Sequence, residues 1–249
     1  MAQRLKLVVA YDGRPFAGWQ SQANGNAVQD HLERAFAAVT HQATRVHGAG
    51  RTDAGVHALG QCAHVELSAR SLRPDQWVAA LNANLPPAIR VLRGRYVPLS
   101  FHARFSARGK VYRYRIWNAP ILPPLEHGRA WQVPAPLDFA AMRREAEAFV
   151  GRHDFAGFAA NRGRPERDTA RTIAAVRMRT SGPCLVLEFS GEGFLYKMVR
   201  LMVGALVRCG RGQAPVGEVR RRLRCPSESI TRARFVAPAD GLYLIRVRY

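Results

Sequence analysis

The sequence predicts an α+β protein built of two halves, residues 1–105 and 106–249. Three observations carry that expectation. The first hundred residues alternate strand-like and helix-like segments, the remainder repeats the theme, and no low-complexity stretch divides the two. With 249 residues, 47% of them hydrophobic, the chain suffices for one large domain or two ordinary ones with real cores.

Residues 5–11 read as a strand ending at the Asp12-Gly13 turn. Asn26 can cap a helix on which Val28, Leu32, Ala35, Phe36 and Val39 recur with the 3.6-residue period. Residues 61–67 return as a strand. Pro74 sits in a first helical turn, and the helix runs through Trp77 and Leu81 until Pro86-Pro87 ends it. Residues 89–97 then read as another strand.

In the second half, residues 110–117 alternate strictly. Tyr112, Tyr114 and Ile116 share one face of that strand, and Arg113 and Arg115 share the other. A proline-rich loop covers residues 119–136. Asp138 caps a helix that turns Met142, Ala146, Phe149 and Val150 toward a core. Strands are expected near residues 174–179 and 185–190, helices over 193–209 and near 216–223, and a closing strand over 242–249.

The charge narrows the partners. Lysine and arginine number 38 against 18 acidic residues, a formal net charge of +20, and only Lys6, Lys110 and Lys197 are lysines. Such a surplus suits a polyanion, nucleic acid above all, through phosphate neutralisation and counterion release. The arginine bias is equally what a GC-rich genome produces, which leaves a merely basic protein as the second reading. No apolar run is long enough to span a bilayer, and Lys6 interrupts the N-terminal one, so a cytoplasmic protein is expected. Cys62, Cys184, Cys209 and Cys225 lie far apart without a CxxC and read as reduced, mostly buried thiols. Eight histidines form neither HxxxH nor HExxH, so no zinc site is expected.

Three stretches invite a chemical reading. In Gly48-Ala49-Gly50-Arg51-Thr52-Asp53-Ala54-Gly55-Val56-His57-Ala58, Gly50 and Gly55 have phosphate-loop spacing. Val56-His57 stands where Lys-Ser/Thr is required, which excludes a Mg²⁺-nucleotide loop. Gly191-Glu192-Gly193 lacks the third glycine of a dinucleotide fingerprint. Asp53 is either a turn or cap residue or a reactive carboxylate. In an extended segment Arg51 projects beside it and favours its ionised form, which is what a nucleophile or oxocarbenium stabiliser at a sugar carbon requires. The helix expected over 193–209 is apolar nearly all round, with Lys197 and Arg200 as a narrow basic stripe three residues apart. Arg200 there needs a partner: an internal salt bridge, Asp53 or a phosphate. Tyr112 is either a core tyrosine or a stacking platform for an unpaired base, with Arg113 and Arg115 beside it for the backbone.

The ordered set Tyr11-Asp12-Gly13-x-x-Phe16-x-Gly18-Trp19-Gln20, Gly50 to Ala58, Tyr112-Arg113-Tyr114, His153-Asp154-Phe155, Gly193 to Arg200 and Ala237-Pro238-Ala239-x-Gly241-Leu242-Tyr243 resembles the tRNA pseudouridine synthase A family from end to end. Residues 157–168 depart from the family pattern. The resemblance implies that Asp53 is the catalytic aspartate, that Tyr112 stacks on the target base and takes part in proton transfer, and that Arg200 pairs with Asp53. It further implies that Arg51 engages the flipped-out nucleotide or its phosphate and that Lys197 helps bind substrate. The implied substrate is tRNA, at uridines 38, 39 and 40 of the anticodon stem-loop. The implied assembly is a homodimer with a positively charged cleft and no metal or organic cofactor. The implied architecture is the pseudouridine synthase fold: two ferredoxin-like α+β halves joined in one large, mostly antiparallel sheet with helices packed on one side. The competing readings are a non-catalytic basic RNA-binding protein or chaperone of that fold, and a base-excising glycosylase.

Overall fold

The computed structural model describes residues 3–23, 25–68, 72–160, 168–224 and 236–249. In chain order the elements are β1 (Gln3–Tyr11), α1 (Val28–Thr40), β2 (His47–Gly48), β3 (His57–Leu67), α2 (Pro74–Ala83), β4 (Ile89–Val97), β5 (Gly109–Trp117) and β6 (Trp131–Gln132). There follow α3 (Phe139–Glu147), β7 (Gly151–Asp154), β8 (Ala170–Ser181), β9 (Cys184–Gly191), α4 (Met198–Gly210), α5 (Glu218–Arg224) and β10 (Leu242–Arg248). They form two compact units, one running to Arg108 and including Tyr243–Tyr249, the other Gly109–Leu242. The closing strand, grouped with residues 106–249 in the sequence reading, pairs in parallel with β3 through Tyr243 with His57 and Leu244 with Ala58.

In the first unit the strand order is β4-β1-β3-β10, with β2 laid on β3. β1 is antiparallel to both β3 and β4, and Leu5 lies opposite Val65 and Leu7 opposite Ala63. Period-2 alternation sends Leu5, Leu7, Val9 and Tyr11 into the core, where α1 contributes Val28, Leu32, Ala35 and Phe36 and α2 contributes Trp77 and Leu81. The Phe36 and Trp77 rings join the helices at a centroid distance of 5.5 Å. Asn26 does not cap α1. Its side chain donates to Pro15 O, the cap position is Ala27, and the Asp30 carboxylate accepts the Ala27 N–H at 2.9 Å. An acid in the first turn does this work because the helix N-terminus leaves N–H groups without partners.

In the second unit the order is β5-β9-β8-β7, all antiparallel, with β6 parallel to β5. Tyr114 and Ile116 of β5 are buried beside Leu185, Leu187 and Phe189 of β9. Asp138 Oδ1 caps α3 through the Ala141 N–H at 2.9 Å, and Met142, Ala146 and Phe149 are buried, but Val150 is 44% exposed because α3 ends at Glu147. α3 meets α4 closely: a Cβ on Gly210 would lie 2.7 Å from Met142 Cγ. Glu145 ties α5 down by accepting the N–H groups of Gly217 and Val219. The helix expected from residue 193 starts only at Met198. Lys197 adopts a left-handed conformation (φ 57°), and the Met198 N–H closes a tight turn on Leu195 O. Lys197 and Arg200 therefore do not form one helical stripe. The short strand β7 and the two-residue strands β2 and β6 are too brief to leave a periodic signal.

Candidate active site

The loop between β2 and β3 carries Arg51 and Asp53, and hydrogen bonds hold its backbone at Ala49, Gly50, Thr52, Asp53 and Val56. The Ala49 N–H donates to Cys62 O at 2.7 Å, and the wholly buried Gln61 amide donates to Gly50 O at 2.9 Å. Thr52 turns inward, with its Oγ1 2.8 Å from the Tyr11 hydroxyl and its carbonyl accepting the Trp19 N–H at 3.0 Å. Burial pushes the Tyr11 hydroxyl well above its ordinary pKa, so it stays protonated for that contact. The Val56 N–H closes a turn on Asp53 O at 3.1 Å, with Gly55 at φ 79°, where a Cβ is unfavourable. Burial alternates along the segment: Arg51 is exposed, Thr52 buried and Asp53 half-buried.

A second glycine-bearing segment, residues 11–20, forms the wall against which this loop rests. A Cβ on Gly13 would fall 2.1 Å from Val56 O, and one on Gly18 would fall 2.6 Å from Thr52 O. A Cβ on Gly48 would enter the Trp19 indole. The glycines permit backbone to lie on backbone. Between the segments sits a pair that sequence reasoning missed. His57 is buried, its Nδ1 accepts the Gly13 N–H at 3.1 Å and lies 3.3 Å from Asp12 Oδ1, and its ring stacks on Tyr243 at 4.6 Å. A hydrogen bond from Arg14, opposed by partial burial, holds the Asp12 carboxyl below the usual range. The available signal was position alone, since both residues stand inside the quoted motifs. At the loop's outer face, Arg51 Nε donates to Gln20 Oε1 at 3.0 Å.

The other expected site residues lie in the second unit. Tyr112, on β5 opposite Phe189, is 8% exposed and meets the Phe194 ring edge-on at 4.9 Å. Lys197 is half-buried, its Nζ 5.2 Å from the Tyr196 ring. Arg200 grips the segment after the last helix from both ends of its residue: its Nε donates to Ala237 O at 2.7 Å, and its carbonyl accepts the Ala237 N–H at 3.1 Å. The buried Tyr114 hydroxyl donates to Pro238 O at 2.8 Å. A Cβ on Gly241 would lie 2.7 Å from that tyrosine ring. Burial raises the Tyr114 hydroxyl well above its ordinary pKa, with Arg200 opposing and Asp240 reinforcing the shift. The two strand arginines are engaged by carboxylates, Arg113 with Glu188 at 3.0 Å and Arg115 with Glu126 at 2.8 Å.

Cys62, Cys184 and Cys209 are free thiols, and Cys225 lies outside the described residues. Among the described residues no three or more His, Cys, Asp or Glu side chains are grouped to hold a metal ion. No helix among them is long and apolar enough to cross a membrane.

The family model described as tRNA pseudouridine synthase matches residues 7–106 and 146–249. The chain belongs to the tRNA pseudouridine synthase family. It is 46% identical over 252 residues to a tRNA pseudouridine synthase A of Akkermansia muciniphila, an alignment covering 99% of this chain and 95% of that one. It is 44% identical over 254 residues to the protein of that name in Afipia carboxidovorans, with 99% of each chain covered. With the one in Methylacidiphilum infernorum it shares 41% over 244 residues, 98% of this chain and 94% of the other. A pseudouridine synthase is an isomerase, and this chain is an enzyme of that class. Arg51, Asp53, Lys197 and Arg200 fall inside the intervals matched to the tRNA pseudouridine synthase model, whereas Tyr112 lies between them.

Proposed function

We propose that this enzyme converts uridines 38, 39 and 40 of the tRNA anticodon stem-loop to pseudouridine, with Asp53 as the carboxylate that acts on the nucleotide. The observation that carries the reading is the mounting of Asp53. Thr52 just before it is pinned to Tyr11 of β1 and to Trp19 of the segment 11–20, and Ala49 and Gly50 are pinned to β3, while Asp53 itself stays half-buried at the loop's face. Catalysis by a fixed group depends on that kind of pre-set geometry.

The reaction breaks the bond between C1′ and N1, turns the base and joins C1′ to C5. The C5 proton is lost and N1 takes one up, so the composition of the nucleotide is unchanged. An ionised carboxylate stabilises positive charge developing at C1′ or adds to the nucleotide covalently. The base must leave its stack first. Tyr112 supplies an aromatic ring for stacking and a hydroxyl for proton transfer. Arg200 pairs with Asp53, Arg51 engages the flipped-out nucleotide or its phosphate, and Lys197 adds positive charge for the backbone. The net charge of +20 supports a tRNA substrate. In this reading the first unit, which includes Tyr243–Tyr249, carries the carboxylate, the second carries the tyrosine, and the working enzyme is a homodimer.

The test is to incubate the purified protein with unmodified tRNA and map carbodiimide-reactive pseudouridines. Reactive sites at those three uridines are expected. Free uracil would identify a glycosylase, and intact unmodified tRNA a binding protein without this activity.

A further inference from the structure

Arg51 is exposed, yet its guanidinium is not left to wander. Its Nε donates to Gln20 Oε1 at 3.0 Å, and the Gln20 Nε2 in turn donates to Gln29 Oε1 at 2.8 Å. Gln29, in the first turn of α1, is 3% exposed. Its Oε1 also accepts the Ser21 N–H at 3.0 Å, and its Nε2 donates to Glu33 Oε1 at 2.9 Å and to Val46 O at 3.1 Å. Every hydrogen-bonding valence of this buried amide is filled. The Val46 N–H, donating to Glu33 Oε1 at 3.0 Å, closes the ring.

Two of the contacts give the network a direction. A backbone N–H only donates and a backbone carbonyl only accepts, so Ser21 and Val46 permit one orientation of the Gln29 amide. That orientation presents an oxygen to Gln20, which must answer with its NH₂ and therefore turns its own oxygen toward Arg51. A flipped Gln20 would set NH₂ against a guanidinium and oxygen against oxygen. We propose that Gln29, which touches no substrate, is a positioning residue that orients Arg51 through Gln20. The inference rests on the reading of Arg51 as a nucleotide-engaging group.

Gln20→Met and Gln29→Met each remove one link without adding charge. Because Gln29 is buried and its loss leaves Ser21 N–H and Val46 O unsatisfied, Gln20→Met is the variant that tests the relay if Gln29→Met does not fold. In Gln20→Met the single-turnover rate of pseudouridine formation should fall about tenfold, while the Kd for tRNA changes by less than about twofold. Combined with Arg51→Ala, neither link should lower the rate beyond the Arg51→Ala value, since both act through that side chain. Additive losses, or a rate unchanged in Gln20→Met, would overturn the proposal. A readout independent of activity is hydrogen exchange at the Arg51 Nε–H followed by NMR. It should accelerate in both variants, and unchanged exchange would equally sink the relay. Absence of pseudouridine formation by the wild-type protein would refute the functional reading and leave the exchange result to decide the relay.

Discussion

Gly18 and Thr52 meet backbone to backbone: a Cβ on Gly18 would lie 2.6 Å from the carbonyl oxygen of Thr52, the oxygen that accepts the Trp19 N–H. Gly18 also stands at φ 94°, where an L side chain is strained. Gly18→Ala therefore displaces the Asp53 loop as well as straining the chain. The strain alone costs about 1–3 kcal/mol, which lowers Tm by a few degrees. The single-turnover rate should fall by about 100-fold, the penalty of a displacement near 1 Å. Gly182→Ala is the control, because Gly182 also has positive φ but nothing lies within 4 Å of an added Cβ. It should lower Tm and leave the rate unchanged. Equal rates in both variants would show that the Gly18 contact does not set the loop.

Asp53→Asn keeps the shape of the side chain and removes its charge. Turnover should drop to background while the Kd for tRNA stays within about twofold of wild type, the pattern of an interaction used only in the transition state. Normal pseudouridine formation by this variant would end the assignment of Asp53.

Tyr112→Phe keeps the ring that meets Phe194 at 4.9 Å and loses the hydroxyl. A proton-transfer role predicts a single-turnover rate lower by about 10²–10⁴. Chemistry at the wild-type rate would leave Tyr112 with a stacking role only.

Arg200→Lys retains the charge and loses the Nε–H that reaches Ala237 O at 2.7 Å. Removing a hydrogen bond to a charged donor costs about 1.5–3 kcal/mol. Amide exchange at Ala237, whose N–H donates to Arg200 O, should quicken. Exchange at Ala141, bound to the Asp138 cap, should not. Unchanged exchange at Ala237 would mean that the side-chain contact does not hold this segment.

His64 makes stability depend on acidity. It is buried, its Nδ1 accepts the Ala103 N–H, and its ring packs on His47 and His102. Burial first, then His102, Arg4 and His47, push its pKa from 6.5 down to about 4, with Glu66 opposing. A depressed imidazole means that the unfolded chain binds the proton more readily. The contribution is therefore full above pH 6.5 and is lost as pH falls toward 4. The size follows from the shift and is at most about 3 kcal/mol. Denaturant midpoints measured from neutral pH down to about pH 4.5 should fall less steeply in His64→Asn, which keeps an acceptor for Ala103. Parallel curves would show that another group governs the acid limb.

Local patterns carried much of the fold. Residues 89–97 form a strand over that whole span, and the alternation at 110–117 places Tyr114 and Ile116 inside, because in the latter strand period-2 burial is written residue by residue. The reading failed where burial and helicity part company. Phe194 and Leu195 continue an apolar rhythm into α4, but a left-handed Lys197 interrupts the chain before it. Around the site, the motif residues were visible and their physical purposes were not. Nothing local to Gly13 or Gly18 announces contact with Val56 or Thr52 some forty residues away. The same distance hid the His57–Asp12 pair and the hold of Arg200 on Ala237. Gln29 gives no signal in the sequence, because a buried amide leaves no periodic trace.

The absence of side chains at Gly13, Gly18 and Gly48 makes segments 11–20 and 48–58 a cast and its mould. Replacing one of them by a segment that carries side chains at these glycines, without reshaping the other, would set the two competing for the same space. The transferable part is the pair, and an engineer moving this loop to another scaffold must carry both.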